Sequence, residues 1–204
     1  MRQSALMRTM LRSPIGAERA ADALRILGAL SIVVAGIGWG PLAAATAALG
    51  SFGTLFPRLL GLRPSVDITF AVAALVAAWS SVLDIYLTVR WWDIPMHLIT
   101  NGMIAALAYL LLVRLGLVAD AAELSHPVAS AVVLTTALGI ALGVVWEIAE
   151  FLGHTFIDAN IYVGYADTIG DLAVDAAGAL IAGFAMPYIA ARSRFAVSTA
   201  SVTR

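Results

Sequence analysis

The sequence predicts an all-α, polytopic transmembrane bundle of six helices with both termini in the cytoplasm. Three observations carry this. Hydrophobic residues make up 61% of the 204 and charged residues only 12%, whereas a soluble domain carries roughly twice that charged share. The apolar residues fall in runs of about 20, not in the amphipathic stripes of a soluble bundle. The arginines then fall almost wholly on one side of the membrane when the chain crosses it six times.

Residues 1–23 read as an Arg-rich cytoplasmic or interfacial segment, in which Leu6, Met10, Leu11 and Ile15 suit a short interfacial helix. A cleaved signal peptide fits poorly, because the hydrophobic run continues well past any Ala-rich cleavage site; an Arg-rich, lysine-free leader is also the composition of a transit peptide. The uncharged stretch from Ile26 to Pro57 would greatly overshoot a hydrocarbon core of about 30 Å as one straight helix. Gly36, Gly38, Gly40 and Pro41 break it, giving a tight hairpin of spans over about 24–39 and 42–60. Four more spans are expected over about 66–89, 94–115, 127–153 and 168–190, in a single transmembrane domain, 24–190, followed by a cytoplasmic tail, 191–204.

With the N-terminus inside, Arg2, Arg8, Arg12, Arg19, Arg25, Arg58, Arg63, Arg114, Arg192, Arg194 and Arg204 all fall on the cytoplasmic side. The outer loops hold Arg90 alone, and losing a span in the middle would destroy the bias. The expected location is therefore a plasma membrane, the inner membrane of a bacterium.

Composition also excludes chemistry. The chain has no cysteine, which removes disulfides, zinc–thiolate sites and iron–sulfur clusters. It has no lysine, which removes Schiff-base catalysis and a Walker-type phosphate loop. A net charge of −1 argues against nucleic acid as partner.

In this topology the ionisable residues of four helices meet at one depth, in the outer half of the bilayer. Asp84 sits late in the third span; Asp93, His97 and Asn101 occupy the first turns of the fourth; Glu147, Glu150 and His154 the last turns of the fifth; Asp167, Asp171 and Asp175 the first turns of the sixth. Steps of three and four residues put each set on one helical face. A charge near the centre of a span costs about 2.5–3.5 kcal/mol, so such a collection is not incidental. Six in-span carboxylates with Arg90 as the only nearby fixed cation do not form a neutral salt-bridge network. Either several carry protons or a cation sits among them.

Some of these residues have plainer explanations. Asp167 before Thr168 looks like a helix N-cap, and Asp171 suits the helix dipole. Asp93 or Asp84 can pair with Arg90, and Asp67, Asp120 and Glu123 are expected to be solvated on the cytoplasmic side. Trp39, Trp91 and Trp92 suit an aromatic belt, and Gly139 with Gly143 suits close helix packing.

The strings Trp91-Trp92-Asp93 with His97, Trp146-Glu147-Ile148-Ala149-Glu150-Phe151, and Asp167-Thr168 with Asp171, Leu172, Asp175 and Gly178 resemble bacterial inner-membrane proteins of the YjdF type over about residues 60–190. More distantly they are similar to VanZ-like proteins, with Asp…His, Glu and Asp…Asp…Gly on successive helices. The resemblance implies a small bundle whose polar set faces a shared cavity. VanZ-like proteins are associated with teicoplanin resistance, which implies the cell envelope without naming a substrate. Glu150 and His154 depart from the more distant pattern.

Three functions compete. The first is a metal-dependent enzyme acting on a membrane lipid or envelope precursor, with His97, Glu147, Glu150, Asp171 and Asp175 as ligands of a divalent cation (Mg, Mn, Zn or Fe) and Asp93 or His154 as general base or orienter. The second is a proton- or ion-coupled transporter, against which stand the apolar inner halves and the lack of an internal repeat. The third is a non-catalytic accessory subunit, which accounts for one or two buried polar residues but not for eight.

Overall fold

A computed structural model describes residues 2–191, with the side chains of 2–5 left out; Arg192, Arg194 and Arg204 lie outside the described residues. The chain is helical throughout, with no strand among those residues. The helices are α1 (Arg2–Leu11), α2 (Glu18–Trp39), α3 (Pro41–Gly53), α4 (Leu55–Leu60), α5 (Pro64–Val82), α6 (Ile85–Thr88), α7 (Asp93–Leu115), α8 (Pro127–Phe156) and α9 (Tyr165–Ala190), with one 3-10 turn at Ala121–Glu123. Five of them, α2, α5, α7, α8 and α9, are long and apolar enough to cross a membrane. The second arm of the expected hairpin is divided: α3 has 13 residues and α4 has 6.

The contacts divide into two compact units. One holds the chain up to Asp84, with Leu110–Leu117 and the segment from Pro187; the other holds Ile85–Tyr109 and Val118–Met186.

In the first unit the hairpin turns at Gly40, whose φ of 94° suits glycine, and Pro41 opens α3 where no backbone donor is needed. Ala35, Ala43, Ala47 and Val82 pack together, with Trp79 edge-on to Trp39 at 5.7 Å. A polar knot holds one end. Arg25 pairs with Asp67 and, at 2.8 Å, with Asp22, and donates to the Thr54 carbonyl at 3.0 Å. Arg58 closes on Asp22 at 3.2 Å and donates to the Met10 and Arg12 carbonyls. Asp67 is therefore buried, 4% exposed, and not solvated as expected, because its helix starts inside the bundle against a guanidinium. Asp120, by contrast, is exposed and accepts from the Ala122 N–H.

The third span is shorter than the expected 66–89. Its helix stops at Val82, and Asp84 follows in a left-handed conformation with φ 55°. Asp tolerates that region better than most residues because its short polar side chain bonds locally. Asp84 is thus an exposed turn residue and not a group inside a membrane-crossing helix.

The second unit is built on α7, α8 and α9. Close packing there depends on glycine. A Cβ at Gly102 would lie 2.6 Å from the Gly178 carbonyl oxygen, and one at Gly178 would run into the Leu98 backbone. On α8, Ala131, Thr135, Gly139, Gly143 and Glu147 recur every four residues and all are buried. That face is narrow enough for Ala179 to seat against Gly139, and the Asp175 carboxylate against Gly143.

Candidate metal centre

The periodicity that packs α7 against α9 also aims its polar residues. Asn101 donates from Nδ2 to the Gly139 carbonyl at 3.1 Å and to the Asp175 carbonyl at 3.2 Å, so one amide ties all three helices together. One turn toward the N-terminus of α7, His97 is buried at 8% exposure, and one turn further Asp93 opens the helix.

His97 lies at the centre of the cluster. Its Nδ1 is 3.1 Å from Oδ1 of Asp175, a carboxylate only 1% exposed, and its Nε2 is 3.5 Å from Oδ1 of Asp93. With a carboxylate as its acceptor, Nδ1 is the donor, and in the neutral ring the lone pair then belongs to Nε2. A carboxylate that fixes the tautomer of a histidine in this way is the usual outer partner of a metal-bound imidazole. Two donor groups converge on His97, and within each the ligand atoms lie within 4.8 Å of one another: Asp93, His97 and Asp171, and His97, Glu147 and Glu150.

Glu147 tests whether such a group fits. It is 8% exposed and borders a groove with Thr168, yet Oε1 has no hydrogen-bond partner among the described residues. A buried carboxylate oxygen without a donor costs at least about 1–3 kcal/mol, and more when charged. A divalent cation shared with Glu150 and His97 would remove that cost, and the oxygen and imidazole donors suit hard or borderline metals.

The expected site residues are thus mostly gathered. Asp93, expected as base or orienter, sits in a donor group and faces Nε2 of His97 at 3.5 Å, not Arg90. Asp175, expected as a ligand, belongs to neither donor group and holds His97. His154 is not brought in: its Nδ1 is 2.6 Å from the Ile161 carbonyl, so it fastens the end of α8 to the following loop. Asp167 lies inside the first turn of α9, which begins at Tyr165, and so is not the N-cap. Thr168, which borders the same groove as Glu147, was missed, since a threonine beside an apparent cap residue gives no other signal. Thr135 and Thr136, whose buried hydroxyls lack hydrogen-bond partners among the described residues, were missed because two threonines in an apolar span look unremarkable.

Apolar helices of membrane-crossing length, three of which bury carboxylates and an imidazole together, define the class: a polytopic membrane protein with a carboxylate–histidine cluster. The chain matches the family described as "Predicted membrane protein (DUF2238)" over residues 23–192 and belongs to that family, with which the YjdF-type resemblance is consistent. No curated protein and no solved structure matches it.

Proposed function

We propose that this protein is a metal-dependent enzyme of the bacterial inner membrane that carries out hydrolysis or group transfer on a lipid or cell-envelope precursor at the outer leaflet. The observation that carries the reading is the unpartnered Oε1 of buried Glu147, beside the His97 and Glu150 donors. A divalent cation bound there supplies a Lewis acid and an activated water. The chain's own residues do the rest. Asp175 holds the His97 ring at Nδ1, which leaves Nε2 3.5 Å from Asp93, in a cluster that also brings Asp171, Glu147 and Glu150 to the imidazole, while Asn101 fixes the backbone of α8 and α9 beneath them.

The outward direction rests on six crossings of a domain over residues 24–190 with cytoplasmic termini. α3 and α4, separated only by Thr54 in a helical conformation, would supply the sixth, since the twenty residues from Pro41 to Leu60 reach about 30 Å when they run as one rod at about 1.5 Å per residue. The arginine distribution supports the same count. The more distant VanZ-like pattern of Asp93, His97, Glu147, Asp171 and Asp175 agrees with an envelope substrate.

An ion-coupled transporter is the second reading, favoured by Thr135, a fully buried hydroxyl without a hydrogen-bond partner three turns along α8 from Glu147. Incubating the purified protein with inner-membrane lipid extract and Mg, Mn or Zn, and following the lipids by mass spectrometry, separates the two. The enzyme reading expects a lipid species consumed by the wild type and not by Glu147→Gln. Metal binding without any lipid turned over, alongside cation flux in sealed vesicles, would transfer the assignment to the transporter.

A further inference from the structure

Each of the two donor groups contains a buried carboxylate without a partner. In one it is Glu147, whose Oε1 is unbonded among the described residues. In the other it is Asp171, which is 5% exposed and whose carboxylate has neither a hydrogen-bond nor an ion-pair partner among the described residues. The start of the helix does not account for it. Asp171 stands beyond the first turn of α9, which begins at Tyr165, so the free N–H groups of that turn lie behind it.

The two groups meet at His97 but cannot both use it. Nδ1 faces Asp175, so a single nitrogen, Nε2, is left to give. In the enzyme reading above, on which this inference rests, Nε2 goes to the ion of Glu147 and Glu150. Asp93 and Asp171 then remain as a second pair, and no arginine pairs with either among the described residues. The charge points the same way. When Asp93, Asp171, Glu147 and Glu150 are all ionised, one divalent cation offsets half of their charge and a second offsets the rest.

We propose that Asp93 and Asp171 hold a second divalent cation, whose coordination is completed by the phosphate group of a phosphorylated lipid or envelope precursor. The two positions differ in kind. The Asp93 side chain is 27% exposed, which opens this position to water and substrate, whereas His97 and Glu147 are buried. Two carboxylates are too few for the octahedral shell of a magnesium-like ion. Such ions are usually held in this way, by one or two carboxylates together with waters and the phosphate oxygens of a substrate. Paired divalent cations suit phosphoryl groups, whose negative oxygens they share. The second ion therefore exchanges and is lost on purification, while the imidazole-bound ion stays.

The test uses the full chain in detergent, stripped with chelator and titrated with Mn(II), the free ion being read from its electron paramagnetic resonance signal. Two ions per chain are expected, the second held more weakly than the first. Inorganic phosphate should tighten the second severalfold and leave the first nearly unchanged. Asp171→Asn and Asp93→Asn should each lose the second ion and keep the first. A wild type that binds one ion, with or without phosphate, would overturn the proposal and leave the enzyme reading standing; a wild type that binds none would sink both. A second ion that is indifferent to phosphate, or that persists in Asp171→Asn protein eluting and unfolding like the wild type, is a surface ion and would also overturn the proposal.

Discussion

Nδ1 of His97 and Oδ1 of Asp175 stand 3.1 Å apart between α7 and α9, and this contact decides which imidazole nitrogen is left to face the other carboxylates. Asp175 is almost wholly buried and backs onto Gly143, so it has little freedom to turn away. Asp175→Asn keeps the shape while offering the imidazole an amide in place of a charge. Metal affinity measured by equilibrium dialysis should fall about 10–100-fold, in line with other outer partners of metal-bound histidines. Unfolding in detergent should change little. An unchanged affinity would make Asp175 purely structural.

The glycine contacts that let the centre form make a second prediction. Gly178→Leu drives a side chain into the Leu98 backbone, where nothing flexible is available to give way. A destabilisation of at least about 1–3 kcal/mol is expected, as for other overpacked sites. Thermal unfolding in detergent checks it. Gly38→Ala, at a position where an added Cβ meets nothing, is the matched control.

The Arg25–Asp67 pair should behave as a buried ion pair. Arg25→Met leaves Asp67 and Asp22 without that guanidinium, and a loss of about 3–5 kcal/mol is expected. Arg25→Met with Asp67→Leu should recover most of that loss. If the single variant is as stable as the wild type, the knot is not holding the first unit together.

Single-cysteine labelling tests the number of crossings cleanly, because the natural chain has no cysteine. Ser65→Cys and Ser125→Cys are predicted to react only with a membrane-permeant maleimide in intact cells, and Asn160→Cys also with an impermeant one. Should residues 41–60 not cross, all three positions change sides.

Much of this architecture was legible because lipid makes unusually strict demands on sequence. Long uncharged runs locate the helices, and Gly40-Pro41 marks the hairpin to within a residue of where it turns. The steps Asp93, His97, Asn101 and Asp171, Asp175 showed which groups share a face. What could not be read was which partner each group finds. Asp67 looked like a solvated end residue because its cation, Arg25, is 42 residues away in the chain. His154 looked equivalent to His97, since both stand a turn from an acid; only the course of the loop shows that one meets a backbone carbonyl and the other three helices' worth of carboxylates. Asp84 was misplaced because a helix end set by a single left-handed residue, without glycine or proline, leaves no mark in an apolar run.

The central claim is that His97 and its carboxylates hold a divalent cation, and metal content by mass spectrometry of the detergent-purified protein tests it most directly. The wild type should carry close to one metal ion per chain, and a Glu147→Gln/Asp175→Asn variant that elutes and unfolds like it should carry almost none. No metal in either protein after incubation with Mg, Mn, Zn and Fe, with both well folded, would contradict the claim and leave the carboxylates as proton carriers.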